Sequence, residues 1–135
     1  MNVIHFTHAA TDPVTAFGAT GASFLPIADG QGNTHISCLH LESNAKVSSP
    51  SLTDAAALLV VHGRITVATE SPKTQINVHA GTGAVLEKDE AYSLKSEEGA
   101  ILLIVEAQEL TAHARATSTP KRIAGATWPS DRVVR

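Results

Sequence analysis

The sequence predicts an all-β antiparallel sandwich or barrel, and three observations carry that prediction. Short runs rich in Val, Ile, Leu and Thr recur along the chain, separated by clusters of Gly, Pro, Asn, Asp and Ser every ~8 to 12 residues. A single passage, Glu109 to Ala116, has helical composition. The densest apolar run, Ala100-Ile101-Leu102-Leu103-Ile104-Val105, is short and β-branched, which suits a fully buried strand.

Taken in order, Val3 to Phe6 reads as a short first strand that Asp12-Pro13 breaks. Val14 to Gly21 is rich in small residues and irregular. Ala22 to Ala28 reads as a strand at a sheet edge or a bulge, because Pro26 has no N–H to give to a ladder. Asp29-Gly30-Gln31-Gly32-Asn33 has the composition of a turn. Thr34 to Glu42 then alternates, with Ile36, Cys38, His40 and Glu42 on one face and His35, Ser37, Leu39 and Leu41 on the other. Ser43 to Asp54 is polar and small, either a loop or a ragged strand.

The stretch Leu58-Leu59-Val60-Val61-His62-Gly63-Arg64-Ile65-Thr66-Val67 organises the chain. It reads as two strands meeting in a tight turn at His62-Gly63, within a hairpin from Ala55 to Thr69. Further strands are expected at Gln75 to His79, Ala84 to Glu87 and Ala91 to Lys95, with turns at Glu70 to Lys73, Gly81 to Gly83, Lys88 to Glu90 and Ser96 to Gly99. The helix expected at Glu109 to Ala116 ends at Thr117-Ser118-Thr119-Pro120, and a tail carrying Trp128 is expected to fold back on the barrel to cover the indole.

The 135 residues suit one domain, with a barrel core over about residues 21–107 and a C-terminal helix and tail over 108–135. A formal charge of -3 supplies no basic field, so neither nucleic acid nor an anionic membrane is expected as the main partner. The start of the chain lacks the pattern of a secretory signal, and no apolar stretch approaches the ~20 residues of a membrane span. With Cys38 as the sole cysteine, no intramolecular disulfide can form, and a cytoplasmic setting is expected.

The spacing of residues 33–107 resembles that of the cupin superfamily, small single-domain barrels of the RmlC-like kind. Gly63 falls at the closing glycine of the family's first motif. Counting back places Ala56 at the motif's glutamate and Ser49 and Ser51 at its two histidines. Laid from Gly81, the second motif has Glu87 at its proline, Asp89 at its glycine, Tyr92 at its histidine and Ser96 at its asparagine. The resemblance implies a double-stranded β-helix, a jelly-roll barrel, and pairing of two barrels as a homodimer through an outer sheet face. It also implies a metal held by three His and one Glu, but the four matching positions are Ser49, Ser51, Ala56 and Tyr92. Two hydroxymethyl groups, a methyl and a phenol are not the donors that divalent iron, manganese, nickel or zinc select. No metal or other cofactor is therefore expected, and the family's metal-dependent activities do not transfer.

Candidate residues follow from this register. Ser49, Ser51 and Tyr92 would line a small hydroxyl-bearing pocket, either binding a small polar organic molecule or filled by side chains and water. Two alternatives stay open. One is a metal-independent isomerase or epimerase with Tyr92 as general acid and a His or Glu as base. The other is a metal site built from the scattered histidines, although His35 and His40, like His5 and His8, point to opposite strand faces. Cys38 shares a face with His40, as a nucleophile pair would, but a buried structural cysteine is the expected reading. Glu87, Asp89 and Glu90 form an acidic corner expected to be a solvated turn.

Overall fold

The structure is a computed structural model that describes residues 1–16, 18–49, 54–70, 73–114 and 116–117, with Ser49 described by its backbone alone. Ten strands are present among the described residues: β1 (Asn2–His5), β2 (Asp12–Pro13), β3 (Ser23–Phe24), β4 (Ala28–Leu41), β5 (Ala45–Ser49), β6 (Ala55–Glu70), β7 (Lys73–His79), β8 (Thr82–Leu86), β9 (Tyr92–Ser96) and β10 (Ala100–Ala112). Helical structure among the described residues is one short 3-10 turn, His8–Ala10. No described helix is long and apolar enough to cross a membrane.

β6 is the axis of the fold, and it corrects the expected hairpin. Ala55 to Glu70 forms one continuous strand through Gly63, and its two halves pair with different neighbours instead of each other. The first half lies between β8 and β10, in a sheet ordered β1-β8-β6-β10-β4. The second half lies between β9 and β7, and β5 extends that sheet beyond β9. Two features turn the strand from one sheet to the other. A bulge leaves Val61 without a partner where Ile101 pairs with His62 and Leu102 with Val60. Gly63 follows at φ 84, a backbone region that disfavours any side chain. The His62-Gly63 signal thus marks a corner between sheets.

The two sheets close on one aliphatic core. Leu58, Val60, Leu86, Leu102 and Leu41 from the first face Ile65, Val67, Val78 and Leu94 from the second. The alternation expected for residues 34–42 holds in part, since Leu39 and Leu41 turn inward against this core. A second cluster lies on the outer face of the first sheet, where Ile4, Ala57, Val85 and Ala116 pack with Leu25, Ile27, Leu59 and Leu110. There the His5 N–H donates to the Ala116 carbonyl at 2.7 Å.

Other expectations change with pairing. Residues 29–33 lie inside β4, since Asp29, Gly30 and Gln31 pair with Thr111, Leu110 and Glu109. The register shifts beside Ala107, and Gly32 at φ 82 accommodates that bulge, so the turn-like composition serves a kink within a strand. The expected helix from Glu109 is absent, because Glu109 to Ala112 continue β10 along the open edge of β4. Ladder bonds and burial of Leu110 and Ala112 outweigh a weak helix preference. Among the described residues that follow, the Ala116 and Thr117 N–H groups both donate to the His113 carbonyl in a turn. The strand expected over Ala22 to Ala28 shortens to Ser23–Phe24, paired with Asp12–Pro13. The tail with Trp128 lies outside the described residues.

Candidate functional site

The fold brings three of the motif-aligned positions, Ser49, Ala56 and Tyr92, to one end of the barrel. Ala56 precedes the Gly63 corner by seven residues and Thr69 follows it by six, so the bent strand returns to the end where it began. Thr69 pairs with Tyr92, and Tyr92 with Ser49, which makes a row across three strands of the second sheet. The corresponding row of the first sheet runs Leu86, Ala56, Glu106, His35. Ala56 and Leu86 are core residues, so that part of the row faces the interior, while Glu106 is partly buried and His35 is exposed.

Tyr92 is half-buried and packs against the core, and Thr69 is buried. The Ser49 backbone sits opposite Tyr92, while Ser51 lies outside the described residues. Sequence reasoning missed Glu106, and it named His35 only among the scattered histidines, without placing it beside Ala56. Their only signal is strand parity with Ile104 and Leu39, which becomes readable once the pairing to Ala56 is known.

This end does not suit a divalent metal ion. A methyl stands at Ala56 and a phenol at Tyr92, where the matching motif has a carboxylate and an imidazole. No group of three or more His, Cys, Asp or Glu among the described residues is placed to hold an ion. His62 and His79 are exposed at the opposite, corner end of the barrel.

The remaining candidates fall to structural roles or to the surface. Cys38 is exposed on β4, which overturns the buried reading, because β4 is an edge strand covered on neither face from Asp29 to Cys38. The acidic corner is a tight turn with Asp89 at φ 72. Glu90 closes it by accepting a hydrogen bond from the Glu87 N–H at 2.7 Å, and its other oxygen lies 3.7 Å from the terminal ammonium of Met1. Ser96, at the second motif's asparagine position, is buried at the corner end. Its hydroxyl donates to the Arg64 carbonyl at 2.7 Å and accepts from the Gly99 N–H at 2.9 Å, tying the β9–β10 turn to β6.

No protein-family model matches the chain, and no curated protein matches it in sequence. Solved structures do match in fold. A conserved protein of unknown function from Streptococcus pyogenes, SPY1581, aligns with a TM-score of 0.53 at 15% identity, covering 58% of this chain and 68% of that one. The cupin domain of Schizosaccharomyces pombe Cnp3 aligns with a TM-score of 0.50 at 16% identity, over 56% of this chain and 53% of that one. Drosophila melanogaster CENP-C bound to CAL1 aligns with a TM-score of 0.50 at 16% identity, over 53% of this chain and 60% of that one. This chain therefore spans little more than half the length of the Cnp3 and CENP-C chains that it matches. The two sheets joined through a bent β6 and these neighbours agree on the architecture: the chain has the fold of the cupin domains, a double-stranded β-helix.

Proposed function

We propose that this cupin-fold barrel is a non-catalytic module that binds a small polar organic molecule without a metal ion, at the end marked by Ser49, Ser51 and Tyr92. One observation carries the reading. The row through Tyr92 and Thr69 and the row through Ala56 lie at the same end of the barrel, and they place a phenol and a threonine hydroxyl near a methyl at the position of the motif's glutamate, with Glu106 and His35 further along the second row. Hydroxyls beside a half-buried phenol suit hydrogen bonding to a neutral polar ligand. Elemental analysis of protein purified without added metal and then dialysed should find transition metals far below one equivalent per chain. A stoichiometric metal that survives dialysis overturns the proposal.

A second reading, compatible with the first, is a homodimer formed through the β4 side of the first sheet. β4 is the edge strand, it carries no Lys, Arg, Asp or Glu from Gly30 to Leu41, and such edges are usually guarded by charge. Ile36 is 70% exposed and Val61 45%, and both stand on the outer face together with Leu103 and Ile101. A two-fold axis beside β4 would cover these side chains with their own copies. Sedimentation at micromolar concentration should give a dimer, and Ile36→Arg with Val61→Arg should give a folded monomer. A monomeric wild-type protein counts decisively against this reading.

A further inference from the structure

The outer face of the second sheet collects most of the positive charge in the described chain. Inward-facing Val47, Leu94, Val67 and Ile76 pack on the core, so their neighbours in sequence point outward. Two outward rows result. One runs Lys46, Lys95, Thr66, Asn77 across β5, β9, β6 and β7, and the adjacent one runs Ser48, Ser93, Ala68, Gln75. Arg64 and Lys73 stand on the same face, further along β6 and β7, where Lys73 lies opposite Glu70. Of the five Lys and Arg side chains among the described residues, Lys88 alone lies elsewhere. This concentration occurs in a chain of net charge -3.

Lys46, Ser48, Ser93, Lys95, Thr66 and Gln75 line a cleft of about 300 Å³. Lys46 and Lys95 are direct cross-strand partners, and like charges placed opposite one another destabilise a sheet. Neither takes part in an ion pair among the described residues. The Thr66 hydroxyl donates to Asn77 Oδ1 at 2.8 Å, which turns the Asn77 amide N–H donors to other partners.

We propose that this cleft is a binding site, separate from the barrel end, for a small phosphorylated molecule. Its phosphate would lie between the ammonium groups of Lys46 and Lys95, where one dianion removes their repulsion and gains two charge-assisted contacts. Ser48, Ser93 and Gln75 supply neutral donors and acceptors for the polar body of the ligand. The cleft is at the small end of ligand-site volumes, which fits a sugar phosphate and excludes burial of a polymer.

The test uses the full chain in an amide NMR titration with inorganic phosphate, ribose 5-phosphate and a short single-stranded oligonucleotide. Ribose 5-phosphate should shift the backbone amides of β5, β9, β6 and β7 along these two rows and saturate at ~10 mM, with inorganic phosphate acting on the same residues more weakly. Lys46→Gln with Lys95→Gln should weaken the sugar phosphate at least about tenfold. Ser93→Asp, which keeps both lysines and adds a carboxylate to the cleft, should do the same, and Lys88→Gln should have no effect. Shifts that fail to saturate, that fall outside these strands, or that persist in both cleft variants overturn the proposal. Saturation by the oligonucleotide at lower concentration than by the sugar phosphate overturns the small-ligand assignment.

Discussion

Replacing Gly63 with valine is expected to destabilise the protein by on the order of 3–5 kcal/mol, a large share of a typical domain's stability. Two independent terms add. The residue sits at φ 84, where a β-branched side chain is strained. A Cβ at this position would also run into the Gly99 carbonyl and the Ala100 backbone on the adjoining turn. Neither obstacle is the end of a flexible side chain, so relief requires moving β10 away from β6. The corner is also where the Ala80 N–H donates to the Gly63 carbonyl at 3.1 Å and the Gly81 N–H to the Val60 carbonyl at 3.0 Å, so a shift there disturbs the β7–β8 turn as well. Denaturant unfolding monitored by far-UV circular dichroism measures the loss. A midpoint within error of the wild type would show that the corner is pliable and that β6 does not pivot on Gly63.

Leu58→Ala is expected to cost about 2–5 kcal/mol, the range for emptying a fully buried leucine site. Leu58 lies on the central strand of the first sheet, paired with Ala84 on one side and Ile104 on the other, and it has no exposure. Backbone held on both edges limits how far the surroundings can collapse into the space, which favours the upper part of the range. Ile36→Ala makes the contrast, since an exposed side chain on an edge strand should change the stability of the monomer by no more than ~0.5 kcal/mol. Equal losses at the two positions in equilibrium unfolding would contradict the placement of the core.

Much of this architecture is legible in the residues. Alternation over Gln75 to His79 identified a half-exposed strand, and the continuous apolar run at Ala100 identified a strand held between two neighbours, although Ile101, Leu103, Ile104 and Val105 are only partly buried and residues 34–38 are exposed on both faces. The count from Gly63 singled out Ser49 and the count from Gly81 singled out Tyr92, and the pairing of β5 with β9 puts the two backbones opposite each other. These features are local, since side-chain period and glycine position are properties of the chain itself.

What tertiary structure alone decided is which backbone each strand meets. The same His62-Gly63 pair can close a hairpin or turn one strand between two sheets, and only the partners β8, β10, β9 and β7 select the second. Glu109 to Ala112 have helical composition but extend a ladder because β4 offers an open edge, and the same pairing carries residues 29–33 through a bulge where composition suggests a turn. Cys38 reads as a buried residue from its type and is exposed because its strand is outermost. The grouping of Lys46 with Lys95, and of Glu106 with His35 beside Ala56, is invisible in sequence because cross-strand register depends on contacts between residues far apart in the chain. The residues determined a barrel and the absence of its usual ligands, and strand register determined which side chains stand together on its faces.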